Sequence, residues 1–221
     1  MEIWLEPSDL EYIANAAKMG LLYGVSTNPS IVARSDETVD EFLHQLLEIQ
    51  NGPVAVQVTA SKAHKMIQQG RSLHRFSHRV FVKIPVTAEG LVAISALQKE
   101  AIPTVATAVF ETQQALLAAR AGAQYIAPYY AKICEEEMEG QEIVRAMLRL
   151  VAHYKYPSKL LALSFSTPEQ VKECCEMGID AVGLNKQVFH RFIEDHPLTV
   201  KSMKRFASDW KEAKPSQLFS C

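Results

Sequence analysis

The sequence predicts an α/β fold: a single (β/α)8 TIM barrel with an extra C-terminal helix. Eight short apolar runs alternate with helical patterns, at about 20 to 35 residues per unit. The runs are apolar almost throughout, as parallel strands covered on both sides must be. Seven of them end on a polar residue: Glu6, Asn28, Gln57, Lys83, Thr107, Tyr129 and Ser164. A doubly wound sheet is the structural alternative. No Gly-x-Gly-x-x-Gly or P-loop follows any run, which argues against a nucleotide-binding version of it. The 221 residues contain no long polar linker, so one domain is expected over residues 1–221.

The elements follow in order. Ile3-Trp4-Leu5 ends at Glu6, and Pro7-Ser8-Asp9 opens a helix through about Met19. Leu21 to Val25 leads into Ser26-Thr27-Asn28-Pro29-Ser30, before an amphipathic helix carrying Val39, Phe42, Leu43, Leu46 and Leu47. Gly52-Pro53 breaks that helix. Val54-Ala55-Val56 ends at Gln57, and Ser61 starts a helix with Met66, Ile67 and Leu73. Val80-Phe81-Val82-Lys83-Ile84-Pro85 is the fourth strand, and Thr87 is placed to cap the helix after it. Ala101 to Ala106 ends at Thr107, before a helix that Gly122 closes. Gln124-Tyr125-Ile126-Ala127 ends at Pro128-Tyr129. The stretch from Tyr130 to Gly140 reads as a long acidic loop, and Ile143 to Tyr154 as helix. Lys159 to Leu163 ends at Ser164, Thr167-Pro168 opens a helix that Gly178 stops, and Asp180 to Leu184 is the eighth run. Residues 198–212 form the extra helix. Met203, Phe206 and Trp210 share one of its faces, an arrangement suited to contacts in a homo-oligomer.

The totals exclude several function classes. The net charge is -2, with both signs scattered, so no nucleic-acid or membrane surface is expected. No run reaches the roughly 18 apolar residues of a membrane helix, and the start of the chain lacks a signal-peptide pattern. Cys134, Cys174, Cys175 and Cys221 match no zinc spacing and read as reduced thiols of a cytoplasmic protein. The seven histidines form neither a metal pair nor a triad, so no metal is expected.

Lys83 organises the functional reading. An ammonium is costly to hold at the end of a buried strand, and release of its proton is an easy answer. The result is a nucleophilic amine of the Schiff-base kind. The plainer alternative is a lysine that snorkels off a strand end. In a barrel, the other strand ends converge on the same mouth, which gives a small-molecule site. Glu6 is the carboxylate available to assist proton transfer. Gln57, Thr107 and Tyr129 can hold an ordered water, and Tyr129 can also act as an acid directly. Asn28 suits a substrate hydroxyl, and Thr27 beside it belongs to the substrate-binding set. Ser164 and Lys132 suit an anionic end such as a phosphate. Taken singly, Ser164 and Thr107 read as strand-end hydrogen bonding, and Lys132 as a solvated lysine.

Thr27-Asn28-Pro29-Ser30, Val82-Lys83-Ile84-Pro85-Val86-Thr87-Ala88-Glu89-Gly90, Thr107-Ala108-Val109-Phe110 and Ala127-Pro128-Tyr129 resemble the transaldolase family. The likeness is greatest to its small branch of fructose 6-phosphate aldolases and transaldolase-like proteins, and it runs to about Trp210. The resemblance implies Lys83 as the Schiff-base lysine, Gln57 and Thr107 around a catalytic water, and Asn28 in the substrate site. It implies no cofactor and no metal. It also implies an oligomer, a pentamer or a decamer of two pentameric rings with swapped C-terminal helices. Tyr129 follows Ala-Pro as in the aldolase branch, where transaldolases usually have phenylalanine. Two positions depart from the family pattern. Glu6 stands where aspartate is usual, and Lys132 stands where a phosphate-binding arginine is usual, without its bidentate fork.

The expected activity is a class I aldolase cleaving a ketose such as fructose 6-phosphate to dihydroxyacetone and glyceraldehyde 3-phosphate. One alternative is a true transaldolase of the pentose phosphate pathway, passing the dihydroxyacetone unit between sugar phosphates. The other, of a different class, is a sugar-phosphate-binding barrel without catalysis. Ligand binding without turnover, unchanged by Lys83→Met, would mark that last case.

Overall fold

The computed structural model describes residues 1–7, 9–33, 38–136 and 140–212. Its strands are β1 (Glu2–Leu5), β2 (Gly24–Ser26), β3 (Val54–Gln57), β4 (Val80–Pro85), β5 (Thr104–Val109), β6 (Tyr125–Pro128), β7 (Lys159–Ala162) and β8 (Ala181–Leu184). The helices between and after them are α1 (Leu10–Lys18), α2 (Pro29–Val32), α3 (Val39–Ile49), α4 (Ala63–Phe76), α5 (Ala88–Lys99), α6 (Thr112–Ala121), α7 (Tyr130–Glu136), α8 (Gly140–His153), α9 (Pro168–Glu176), α10 (Lys186–Phe192) and α11 (Pro197–Glu212). The strands close in sequence order, β1 to β8, and every neighbouring pair is parallel. The fold is therefore a (β/α)8 barrel with an additional C-terminal helix. The chain divides into two compact units, Met1–Phe189 and His190 onward, and the closed barrel lies wholly in the first.

Side chains alternate across a strand, so every second residue points into the barrel. Trp4, Ala55, Val105, Tyr125, Ala127, Leu161, Leu163 and Ala181 form one buried cluster, with Phe81 and Tyr129 packed against it. Trp4 meets Tyr125 edge-on, with ring centroids 5.3 Å apart, and lies 6.2 Å from Phe81. Leu163 fills the interior so closely that a Cβ on Gly183 would lie 2.2 Å from its Cδ2, which is why β8 carries a glycine there. Glu2 takes up the polar groups at the amino end of the barrel. Its carboxylate accepts from the Tyr125 hydroxyl at 2.7 Å, from the Trp4 Nε1–H at 3.3 Å and from the Lys159 ammonium at 2.5 Å. Burial and that carboxylate push the Tyr125 hydroxyl well above its ordinary pKa. The carboxyl ends of the parallel strands lie at the opposite end of the barrel.

Most local signals act as the sequence predicts. Thr87 caps α5 by accepting from the Gly90 N–H at 3.0 Å, and Thr167 caps α9 through a capping box followed by Pro168. Gly122 ends α6 in the left-handed region, at φ 91°. Three expectations need correction. From Tyr130 to Glu136 the chain is not a loop but α7, because Tyr130, Ala131 and Ile133 are buried while Glu135 and Glu136 face outward; residues 137–139 of that stretch lie outside the described residues. The acidic residues there are the solvated side of a helix. β5 does not stop at Thr107 but continues to Val109, with a register shift against β6 and Ala108 at φ 56°. The helix expected from Ser61 begins at Ala63.

In the second unit, α11 covers the helix expected over 198–212. Met203, Phe206 and Trp210 are 64%, 57% and 46% exposed on it. Among the described residues no helix is long and apolar enough to cross a membrane. Cys134, Cys174 and Cys175 are unpaired thiols, and Cys221 lies outside the described residues.

Candidate active site

β4 places Lys83 two residues before its end, at Pro85, pointing into the barrel above Phe81. The turn after β4 is tight. A Cβ on Gly90 would lie 1.9 Å from the Pro85 carbonyl oxygen, so the run from Lys83 to Gly90 needs its glycine to bring α5 back over the strand. Lys83 is only 2% exposed. Its Nζ donates to Ser26 Oγ at 3.1 Å and to the Thr27 carbonyl oxygen at 3.1 Å. Burial lowers the pKa of the amine from an ordinary 10.5 to about 8, and the opposite pull of Glu6 keeps it from falling further. The buried lysine of the sequence reading is therefore found, and it does not snorkel to solvent.

Glu6 follows β1, where its backbone N–H donates to the Leu184 carbonyl at 2.8 Å. Removal from bulk water raises the pKa of its carboxyl group, and the Lys83 ammonium lowers it in turn. The two groups thus act on each other across the mouth. Gln57 closes β3 and is the register partner of Lys83, so its half-buried amide stands on the adjacent strand at the same height. Val105 is the partner of Lys83 on the other side, and Thr107, two residues on, is the partner of Pro85. Thr107 is buried, and its Oγ1 shares a 3.1 Å hydrogen bond with the Tyr129 hydroxyl. Tyr129 sits just beyond β6, held by a bridge to Leu163. Phe110 packs edge-on to its ring at 5.6 Å, and the Lys132 ammonium lies 5.6 Å from the ring centroid. Lys132 lies on α7 rather than in a loop, three residues beyond Tyr129.

The remaining candidates are placed less directly. Asn28 caps α2, with its Oδ1 accepting from the Ile31 N–H at 3.0 Å, which leaves the amide nitrogen as its donor. Thr27 contributes its main chain. Its hydroxyl is fully buried and donates to the Ala55 carbonyl at 2.9 Å, so it reaches the site through its backbone oxygen and not its side chain. Ser164 lies one residue beyond the Leu163 bridge, at φ 65°, a strained conformation for a residue with a Cβ. Among the described residues no hydrogen bond ties Ser164 or Gln57 to the lysine. Ser26 was not singled out from the sequence. The signal for it is the period of two: Ser26 ends β2, and in extended chain the next residue, Thr27, turns its side chain to the other face. Among the described residues no group of three or more His, Cys, Asp or Glu side chains is placed to hold a metal.

This arrangement can perform amine chemistry. A buried amine with a lowered pKa, a carboxyl group that acts on it, and a paired threonine and tyrosine all stand towards the carboxyl ends of the strands.

Comparison with known proteins agrees with the geometry. The model of the Transaldolase/Fructose-6-phosphate aldolase family matches residues 3–218. A probable transaldolase of Caulobacter vibrioides is 37% identical over 95% of this chain and 96% of its own. One of Lactiplantibacillus plantarum is 36% identical over 98% and 100%, and one of Thermus thermophilus is 36% identical over 97% and 100%. Among solved structures, a mandelate oxidase mutant bearing an FMN adduct superposes with a TM-score of 0.58 at 14% identity, covering 94% of this chain and 69% of that one. At that identity the likeness is one of fold alone. The family match spans nearly the whole chain and includes every strand end described above, so the chain belongs to the transaldolase/fructose-6-phosphate aldolase family.

Proposed function

We propose that the barrel mouth is a class I aldolase site in which Lys83 condenses with a ketose. The observation that carries this reading is the buried amine of Lys83, lowered to a pKa of about 8. The amine nitrogen adds to the ketone carbon, the carbonyl oxygen takes up two protons, one of them given up by the nitrogen, and leaves as water to give an iminium. Loss of the C4 hydroxyl proton then breaks the C3–C4 bond. Its electron pair enters the iminium, giving an enamine on Lys83 and a free aldehyde. Protonation of the enamine and hydrolysis return the lysine and release dihydroxyacetone. Glu6 and the Thr107–Tyr129 pair supply the proton transfers, with Gln57 helping to hold the water involved. Asn28 offers its amide to a substrate hydroxyl, while Ser164 and Lys132 face the anionic end. None of these steps calls on a cofactor or metal.

Fructose 6-phosphate is the expected substrate, and Tyr129 after Ala-Pro supports cleavage rather than transfer. Incubation with fructose 6-phosphate and no acceptor should release free dihydroxyacetone. Turnover that begins only when an aldose phosphate is added would instead make the protein a true transaldolase of the pentose phosphate pathway. The names of its relatives favour that second reading.

The exposed stripe of Met203, Phe206 and Trp210 supports a homo-oligomer, a pentamer or decamer, in which α11 is covered by another copy. Phe206→Asp should lower the mass measured by light scattering. An unchanged mass, or a monomeric parent chain, would reject this role for the helix. A site of this kind acts on a small sugar or sugar phosphate and suits a cytoplasmic enzyme of carbohydrate metabolism.

A further inference from the structure

We propose that Ser26 is a positioning residue that, together with the Thr27 carbonyl, seats the Lys83 amine with its lone pair turned towards the substrate. The proposal deepens the Schiff-base reading and rests on it. An uncharged amine has two N–H groups and one lone pair. Lys83 Nζ lies 3.1 Å from Ser26 Oγ and 3.1 Å from the Thr27 oxygen. The Thr27 oxygen can only accept, so it takes one N–H. When Ser26 Oγ takes the other, the lone pair has a single direction left, away from β2.

The seat is rigid. Both Ser26 and Thr27 are fully buried. Two bonds to one oxygen fix the Thr27 unit, because its N–H and its hydroxyl both donate to the Ala55 carbonyl, at 2.8 Å and 2.9 Å. Asn28 caps α2 immediately afterwards and stops the chain from swinging. The Ser26 hydroxyl touches the amine itself. The faces that the neighbouring strands turn towards the lysine are uncharged, with Gln57 from β3 and Val105 and Thr107 from β5. Glu6, after β1, is the charged group that acts on it. In the ammonium form, the third N–H has that carboxylate's field to answer it. Loss of the third proton therefore leaves the other two bonds in place and opens the reactive direction.

The test compares Ser26→Ala and Ser26→Thr in the full chain, with dihydroxyacetone as the probe. The rate of borohydride-trappable adduct formation is measured from pH 6 to pH 10. Ser26→Ala should slow adduct formation about tenfold, the effect of one lost hydrogen bond at the reacting atom, with little change in the donor concentration needed for half-saturation. The acid limb should move to lower pH, because a lost acceptor favours the ammonium less. Ser26→Thr keeps the hydroxyl and should restore both. An unchanged rate and limb would overturn the proposal. So would a faster rate, which would mean that the serine hydroxyl donates to the lone pair and blocks it. If Ser26→Ala does not fold by circular dichroism, Ser26→Cys, a weaker acceptor, should give an intermediate slowing, and no slowing there overturns the proposal equally. No adduct in the unsubstituted chain would remove the aldolase reading and this proposal together. An adduct there that is indifferent to Ser26 would remove this proposal alone.

Discussion

Lys83→Met is expected to reduce aldol cleavage by about 10^4-fold or more, the scale on which loss of an essential nucleophile is felt. The sulfur-containing side chain fills a similar volume but offers no amine. The same substitution should stabilise the protein. The folded-state pKa of Lys83 is lowered to about 8, against an ordinary 10.5. Below pH 8 the lysine carries its proton in both folded and unfolded chains, and the buried charge costs about 3 kcal/mol. Between pH 8 and 10.5 the unfolded chain binds the proton more than the folded one, so the stability of the parent rises with pH through this window. The advantage of Lys83→Met should therefore be complete below pH 8 and fade towards pH 10.5, read as a shift of the urea midpoint. Activity in the parent should fall with acidity on the same titration. At pH 7 roughly one lysine in ten is uncharged, against fewer than one in a thousand at the ordinary pKa. A protein that loses activity without gaining stability would contradict the desolvation account.

Tyr129→Phe is expected to lower kcat for cleavage by about 10^2- to 10^3-fold while leaving KM within a few-fold, as loss of a proton-transfer group does. The ring keeps its contacts with Phe110 and Lys132, and only the hydroxyl shared with Thr107 goes. The resemblance to the transaldolases adds a second expected result. Phenylalanine is usual at their corresponding position, so transfer to an added aldose phosphate should decline less than release of free dihydroxyacetone. A fall of equal size in both would show that the hydroxyl serves carbon–carbon cleavage rather than hydrolysis. A rise in KM with kcat unchanged would make Tyr129 a binding residue only.

The barrel was legible because the sequence repeats one physical pattern eight times. Each apolar run must be buried on both faces, and each is followed by a helix able to cover one of them. Lys83 was legible for the same reason, since a lone cation among Val82, Ile84 and Phe81 has few places to go. What the sequence did not show depends on side-chain direction. Thr27 was placed in the substrate-binding set and Ser26 was passed over, whereas the Thr27 hydroxyl turns to Ala55 and Ser26 faces the amine. Alternation along β2 carries that distinction, but β2 has only three residues, too few for the period to stand out beside the Asn-Pro turn. The helix from Tyr130 was hidden by its acids, which mark a solvated face as readily as a loop. The mutual effect of Glu6 and Lys83 joins residues 77 positions apart in the chain, and only closure of the barrel brings them to one mouth.

Reductive trapping is the most direct measurement. Borohydride added in the presence of dihydroxyacetone, followed by proteolysis and mass spectrometry, should place the donor's mass on Lys83 and leave every other lysine unmodified. No adduct, or one on Lys132, Lys186 or another exposed lysine, would contradict the account.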